Sequence, residues 1–173
     1  MGYVIREPVQ GDAAEMGSVH VRAWQAAYRG IMPDDYLDAL SADERAAMWR
    51  EGLANPPRER FARRAVEAED GRLVGFCVVG PEGADEGAAG GELYAINLDP
   101  DHWGTGAGPA LIDAGLRALV DAGFGEAVLW VAPGNARARR FYEREGWVAD
   151  GAERTDEVLG VVVEEVRYRR SLP

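Results

Sequence analysis

Glycine recurs at alternate positions in Trp103-Gly104-Thr105-Gly106-Ala107-Gly108-Pro109. The run follows a strand-like segment, Glu92 to Leu98, broken by Asp99-Pro100-Asp101, and it precedes a helical pattern from Pro109 to Ala122. A strand, a turn bare of side chains and a helix start, in that order, aim unobstructed backbone N–H groups along a helix N-terminus. The ligand such a cradle suits is a phosphate or pyrophosphate. Two common phosphate motifs do not fit. The dinucleotide fingerprint needs Gly-x-Gly-x-x-Gly, and its last position here is Pro109 counted from Gly104 and Leu111 counted from Gly106. The nucleotide P-loop needs a Lys after its glycines, and the chain contains no Lys.

The elements around this loop alternate in type. Tyr3 to Arg6 reads as a short strand. From Asp12 to Gly30 the apolar residues Met16, Val19, Ala23, Ala26 and Ala27 recur at helical spacing. Pro33-Asp34-Asp35 opens a second short helix through Leu40, and Ser41 with Glu44 caps a third through Trp49. Two strand runs, Arg60 to Glu67 and Leu73 to Val79, flank Glu69-Asp70-Gly71, a hairpin signal. Gly80 to Gly91, rich in Gly, Ala and acids, is expected to be an exposed, mobile loop. The helix Pro109 to Ala122 carries the apolar stripe Leu111, Ile112, Leu116 and Leu119. Ala127 to Ala132 is a continuous apolar strand, Asn135 to Glu145 a short helix closed by Gly146, and Trp147 to Leu172 two strands around an acidic turn at Thr155-Asp156-Glu157. The fold class expected is mixed α/β with a sheet of about seven strands. Residues 1–173 are read as one domain: an N-terminal strand with helices (1–57), a central sheet with the glycine loop (58–132), and the Asn135 helix with the last strands (133–173).

Composition narrows the function. Thirty Asp and Glu against nineteen basic residues, all Arg, give a net charge of -11, which disfavours binding to nucleic acid or an anionic membrane surface. No apolar run approaches the roughly 18 residues of a membrane span, and Met1-Gly2-Tyr3-Val4-Ile5-Arg6 lacks a signal-peptide core. A cytoplasmic location is expected. The lone cysteine, Cys77, lies in an apolar run and reads as a buried thiol, and His20 and His102 are too isolated to suggest a metal site.

A second motif joins the loop. In Asn135-Ala136-Arg137-Ala138-Arg139-Arg140-Phe141-Tyr142-Glu143-Arg144-Glu145-Gly146-Trp147, helical spacing puts Asn135, Ala138 and Tyr142 on one face and Arg137, Arg140 and Arg144 on another. The loop resembles the Gln/Arg-x-x-Gly-x-Gly/Ala cofactor loop of the GNAT superfamily of acyl-CoA-dependent N-acetyltransferases, departing from it only at Trp103. The helix resembles that family's Asn-x-x-Ala-x-x-Phe-Tyr-Glu-x-x-Gly-Phe stretch, with Trp147 for the last Phe. His20 to Gly30, followed by Pro33-Asp34-Asp35-Tyr36-Leu37, is similar to the opening helices of small bacterial members.

The resemblance implies acetyl transfer from acetyl-CoA to a primary amine of a small molecule, with no metal and with a homodimer open to it. It implies a sheet splayed between its fourth and fifth strands, with helices on both faces. Ile96, Asn97 and Leu98 would meet the pantetheine arm, Trp103 to Gly108 (with Thr105 and Ala107) the pyrophosphate and Arg140 the 3′-phosphate, with Asn135 and Tyr142 also binding the cofactor. A backbone N–H on Ile96 or Leu98 would hold the oxyanion, and Tyr142 would protonate the leaving thiolate. Glu92 is the candidate base, because simple alternation places it with Tyr94, Ile96 and Leu98. Glu164, Glu165 and His20 are further candidates. Trp24, Tyr28, Tyr36 and Tyr94 would line the acceptor pocket, with Asp34 or Asp35 drawing a cation. A non-catalytic acyl-CoA-binding module, a protein or peptide N-acetyltransferase, and an acidic interaction protein remain alternatives.

Overall fold

A computed structural model describes residues 2–158 and 160–173. Seven strands form one sheet: β1 (Tyr3–Arg6), β2 (Ala62–Ala68), β3 (Leu73–Pro81), β4 (Gly91–Leu98), β5 (Glu126–Val131), β6 (Val148–Val158) and β7 (Val161–Ser171). Their order is β1-β2-β3-β4-β5-β7-β6, and every pairing is antiparallel except β4 with β5. Helices α1 (Ala13–Tyr28), α2 (Asp34–Asp38) and α3 (Ala42–Leu53) precede β2, α4 (Ala107–Asp121) joins β4 to β5, and α5 (Ala136–Arg144) joins β5 to β6. The expected mixed α/β class and seven-stranded sheet are what the structure holds.

Each face of the sheet is buried by its own helices. Leu111, Ile112, Leu116 and Leu119 of α4 are all buried against Cys77, Val79, Leu93 and Leu129. At about 1.5–3 kcal/mol for each fully buried aliphatic side chain, this stripe fixes α4 to the sheet. On the opposite face Met16 and Val19 of α1 meet Ala65 and Phe76. Trp24 is buried where Ala26 was expected, and Ala26 is exposed. Ser41 accepts from the Glu44 amide at 3.2 Å, the cap that starts α3. Cys77 is buried, and burial pushes its thiol up to about 12.

Three local expectations change. Thr155-Asp156-Glu157 lies inside β6, because Ala152, Arg154, Asp156 and Val158 alternate inward, and the chain turns beyond Val158↔Val161, with Gly160 at φ 82°. Helix α4 starts at Ala107, two residues before Pro109, after Gly106 in the left-handed region at φ 94°. The Gly80–Gly91 segment is exposed at its centre, yet it is tied down. The Gly83 amide donates to Glu92, the Ala84 amide to Tyr94, and Arg60 donates to the Glu86 and Ala88 carbonyls.

Candidate active site

Parallel pairing of β4 with β5 is confined to Gly91↔Ala127 and Glu92↔Val128. Beyond these pairs the strands diverge, and a cleft of about 980 Å³ opens through the sheet. Its walls come from both faces: Trp24 and Tyr28 of α1 on one side, Phe141 and Tyr142 of α5 on the other.

The glycine loop closes one end. Gly104 (φ 75°) and Gly106 (φ 94°) adopt a backbone region that L side chains rarely enter, and α4 then presents its N-terminus. Gly108 matters for a different reason: a Cβ there would lie 3.3 Å from the Phe141 ring, a tight contact that the α4–α5 approach would have to relax to admit. Trp103, the departure from the family pattern, donates its indole N–H to the Leu98 carbonyl at 3.0 Å and carries the Arg137 guanidinium 3.9 Å above its ring. The Thr105 side chain turns away from the cleft to accept from Tyr3 at 2.6 Å and donate to the His102 carbonyl. Ala107 is fully buried. These contacts fix the loop from β1 and leave its glycines on the cleft.

Three guanidiniums, Arg137, Arg140 and Arg144, stand together on the cleft wall beside the loop. Burial and then the neighbouring charges of Arg144 and Arg140 lower the affinity of Arg137 for its proton.

Tyr142 is 9% exposed and borders the cleft, and its hydroxyl bonds to none of the described residues. Burial, and then the nearby Tyr28, hold that phenol well above its usual range, so it keeps its proton at neutral pH. Tyr28 is pushed up to about 12, by burial and then by Glu165. Asn135 caps α5, its Oδ1 accepting from the Ala138 amide at 3.2 Å. Asn135 and Asn97 are both buried at the cleft margin.

The alternation assumed for Glu92 breaks at a bulge. Val79 pairs with Leu93 but Val78 with Ala95, so Tyr94 is the extra residue. Glu92 lies opposite Gly80 and Ile96 opposite Cys77, three residues apart on β3, and therefore on opposite faces of the sheet. Glu92 shares its face with α1; Ile96 points toward α4. Glu92 is 5% exposed, its Oε2 accepting from Gly83 at 2.8 Å, and burial raises its pKa. Tyr94 borders the cleft, but its hydroxyl donates to the Pro81 carbonyl and its ring stacks on Phe61. Tyr36 is not brought to the cleft wall; it packs with Trp24, Met32 and Leu37 behind it. Asp34 pairs with Arg29 at 3.3 Å. His20 is buried among Trp24, Trp49 and Phe76, and burial, then Arg45, lower it to about 4, which makes it a neutral core residue.

Sequence reasoning did not place Trp130 or Arg154. Both line the cleft, where the Arg154 guanidinium lies 4.4 Å over the Trp130 ring. No local motif marks them, because only the register of β7 brings β5 and β6 together.

The profile of the acetyltransferase (GNAT) family matches residues 21–147. The chain belongs to that family. This GNAT acetyltransferase is 32% identical over 131 residues to the uncharacterized N-acetyltransferase YuaI of Bacillus subtilis, covering 76% of this chain and 72% of the relative. It is 33% identical over 135 residues to the mycothiol acetyltransferase of Acidimicrobium ferrooxidans, covering 71% of this chain but only 44% of that longer protein. Its fold is that of PaiA N-acetyltransferase from Thermoplasma acidophilum, solved in complex with coenzyme A, with TM-score 0.74, 19% identity and 99% of each chain covered. Among the described residues no group of His, Cys, Asp and Glu is arranged to hold a metal, and no helix is long and apolar enough to cross a membrane.

Proposed function

We propose that this GNAT acetyltransferase moves the acetyl group of acetyl-CoA to a primary amine of a small-molecule acceptor by direct attack, in the cytoplasm. The observation that carries the reading is the slot between β4 and β5, with a glycine cradle and an arginine cluster at one end and the unpartnered Tyr142 hydroxyl on its wall. Backbone amides of Gly104 to Gly108 cradle the pyrophosphate, and Arg140 with its neighbours meets the 3′-phosphate. The open edge of β4, over Ile96, Asn97 and Leu98, takes the pantetheine arm as a neighbouring strand would.

The acceptor nitrogen attacks the thioester carbonyl carbon and forms the C–N bond. A backbone N–H of Ile96 or Leu98 holds the oxyanion, a contribution of about 3–4 kcal/mol per donor. The C–S bond then breaks, and Tyr142 gives its hydroxyl proton to the sulfur. Glu92, on the acceptor face, takes the proton that the amine loses, directly or through water. Trp24 and Tyr28 wall the acceptor, while Tyr94 shapes β4 by its bulge.

Tyr142→Phe removes one hydroxyl and leaves the ring. Thiol release with acetyl-CoA and an amine panel should fall about 100-fold or more, with acetyl-CoA affinity by calorimetry nearly unchanged. Unchanged turnover would remove Tyr142 from the acid role; loss of acetyl-CoA binding instead would make it a structural residue.

A further inference from the structure

The charged lining of the cleft comes from two places. Arg137, Arg140 and Arg144 stand on α5 with Glu145 just beyond them, whereas Glu92, Asp156 and Glu165 line the cleft from the strands together with Arg154. Strand register places this second group on one face. Glu92 pairs with Val128, two residues from Trp130; Trp130 pairs with Arg167, two residues from Glu165; and Glu165 pairs with Arg154.

Arg154 occupies a specific seat. Its Nε donates to Glu165 at 2.7 Å, its Nη2 approaches Asp156 at 3.2 Å, and its guanidinium covers the Trp130 indole. A flat aromatic wall with carboxylates at its margin is the chemistry that recognises an organic cation. Arg167, 5.5 Å from the same ring, is held away by Asp150 at 2.7 Å and Glu82 at 3.4 Å, so it adds no net charge there. Tyr142, 9% exposed and with its hydroxyl bonded to no described residue, lines the same cleft as this seat.

Resting on the acetyl-transfer reading above, we infer that the acceptor is a small diamine or polyamine. Its far ammonium takes the Glu165–Trp130 seat that the Arg154 guanidinium fills in the free protein, and its near amine reaches toward Tyr142. Arg154 then acts as a built-in competitor that swings aside when a dication enters. A carboxylate on the acceptor would find Arg154 already neutralised by two acids, and it would face Glu92 as well.

Putrescine, butylamine and γ-aminobutyrate share a short chain and an amine and differ in the far group, an ammonium, a methyl or a carboxylate. Each is titrated by calorimetry into the chain saturated with coenzyme A, and thiol release is followed separately with acetyl-CoA. Putrescine should bind about tenfold more tightly than butylamine, with γ-aminobutyrate weakest. Glu165→Gln and Trp130→Leu should each abolish the preference for putrescine, and Arg154→Gln should raise the putrescine-to-butylamine affinity ratio several-fold. Equal affinities for the three amines overturn the inference. So does a preference for γ-aminobutyrate that Arg154→Gln removes, since Arg154 would then be a carboxylate receptor. The order of affinities reads the acceptor class alone: with that order intact and no thiol released, acetyl transfer fails and the diamine seat stands.

Discussion

Two buried titratable side chains on the α1 face of the sheet are shifted in opposite directions, Glu92 up and His20 down. Burial raises the pKa of Glu92, moving it toward the range where a carboxylate is an effective base near neutrality. Glu92→Gln keeps an oxygen to accept from the Gly83 amide, so it tests chemistry rather than folding. Turnover near pH 7 should drop by about tenfold to a hundredfold, and the deficit should close as pH rises toward the amine's own pKa, where free amine no longer needs a base. A deficit constant across the pH profile would mark Glu92 as a structural carboxylate. His20 is lowered to about 4 and is the acceptor of the Trp49 indole N–H at 3.4 Å. The unfolded chain protonates this histidine near pH 6.5 while the folded one resists to about 4, so stability is full above 6.5 and is lost as pH falls through that window. The loss amounts to about 3 kcal/mol when complete. Urea midpoints followed downward from pH 7 should decline more steeply in the native chain than in His20→Gln, and parallel curves would refute the assignment.

The glycine loop is an element whose conformation precedes any ligand. Gly106 sits at φ 94° with nothing within 4 Å of where a Cβ would go, so a side chain there is excluded by backbone strain rather than by a clash. Gly106→Val should weaken acetyl-CoA binding about tenfold or more, by forcing the turn that aims the α4 amides; calorimetry with equal affinity would sink the cradle. This loop, the α4 stripe and the Ser41 cap were legible in the sequence because each is set by residues within a few places of one another. What depends on partners far along the chain was not. The Tyr94 bulge exists only through the pairing of β4 with β3, so simple alternation put Glu92 on the face of Ile96. The acids of β6 read as a turn, although their alternation with Ala152, Arg154 and Val158 makes a strand once β7 lies beside them. The seat of Arg154 on Trp130 needs three strands in register, and no window of sequence contains it.

At the scale of the molecule, a chain of net charge -11 has to receive a polyanionic cofactor. Most guanidiniums elsewhere are ion-paired, as Arg6 is to Asp12 at 2.7 Å and Arg22 to Asp99 at 2.5 Å. Arg137, Arg140 and Arg144 are not ion-paired to any described residue, and they stand where the phosphates are proposed to bind. As guanidiniums rather than lysine amines, they stay protonated at neutral pH and offer a thioester no amine nucleophile. Two effects of salt compete. Screening relieves the repulsion of the distant acidic surface, and it weakens the contacts of the arginine cluster. At physiological ionic strength the Debye length is about 8 Å, so the distant acids are already largely screened while the cluster lies within contact of the phosphates. The local term therefore governs, and acetyl-CoA should bind more weakly as salt is raised above that level. In the double variant Arg140→Gln with Arg144→Gln, affinity should be lower and its salt dependence flatter. Affinity that rises with salt in the native chain would show that global repulsion dominates and that the phosphates lie away from this cluster.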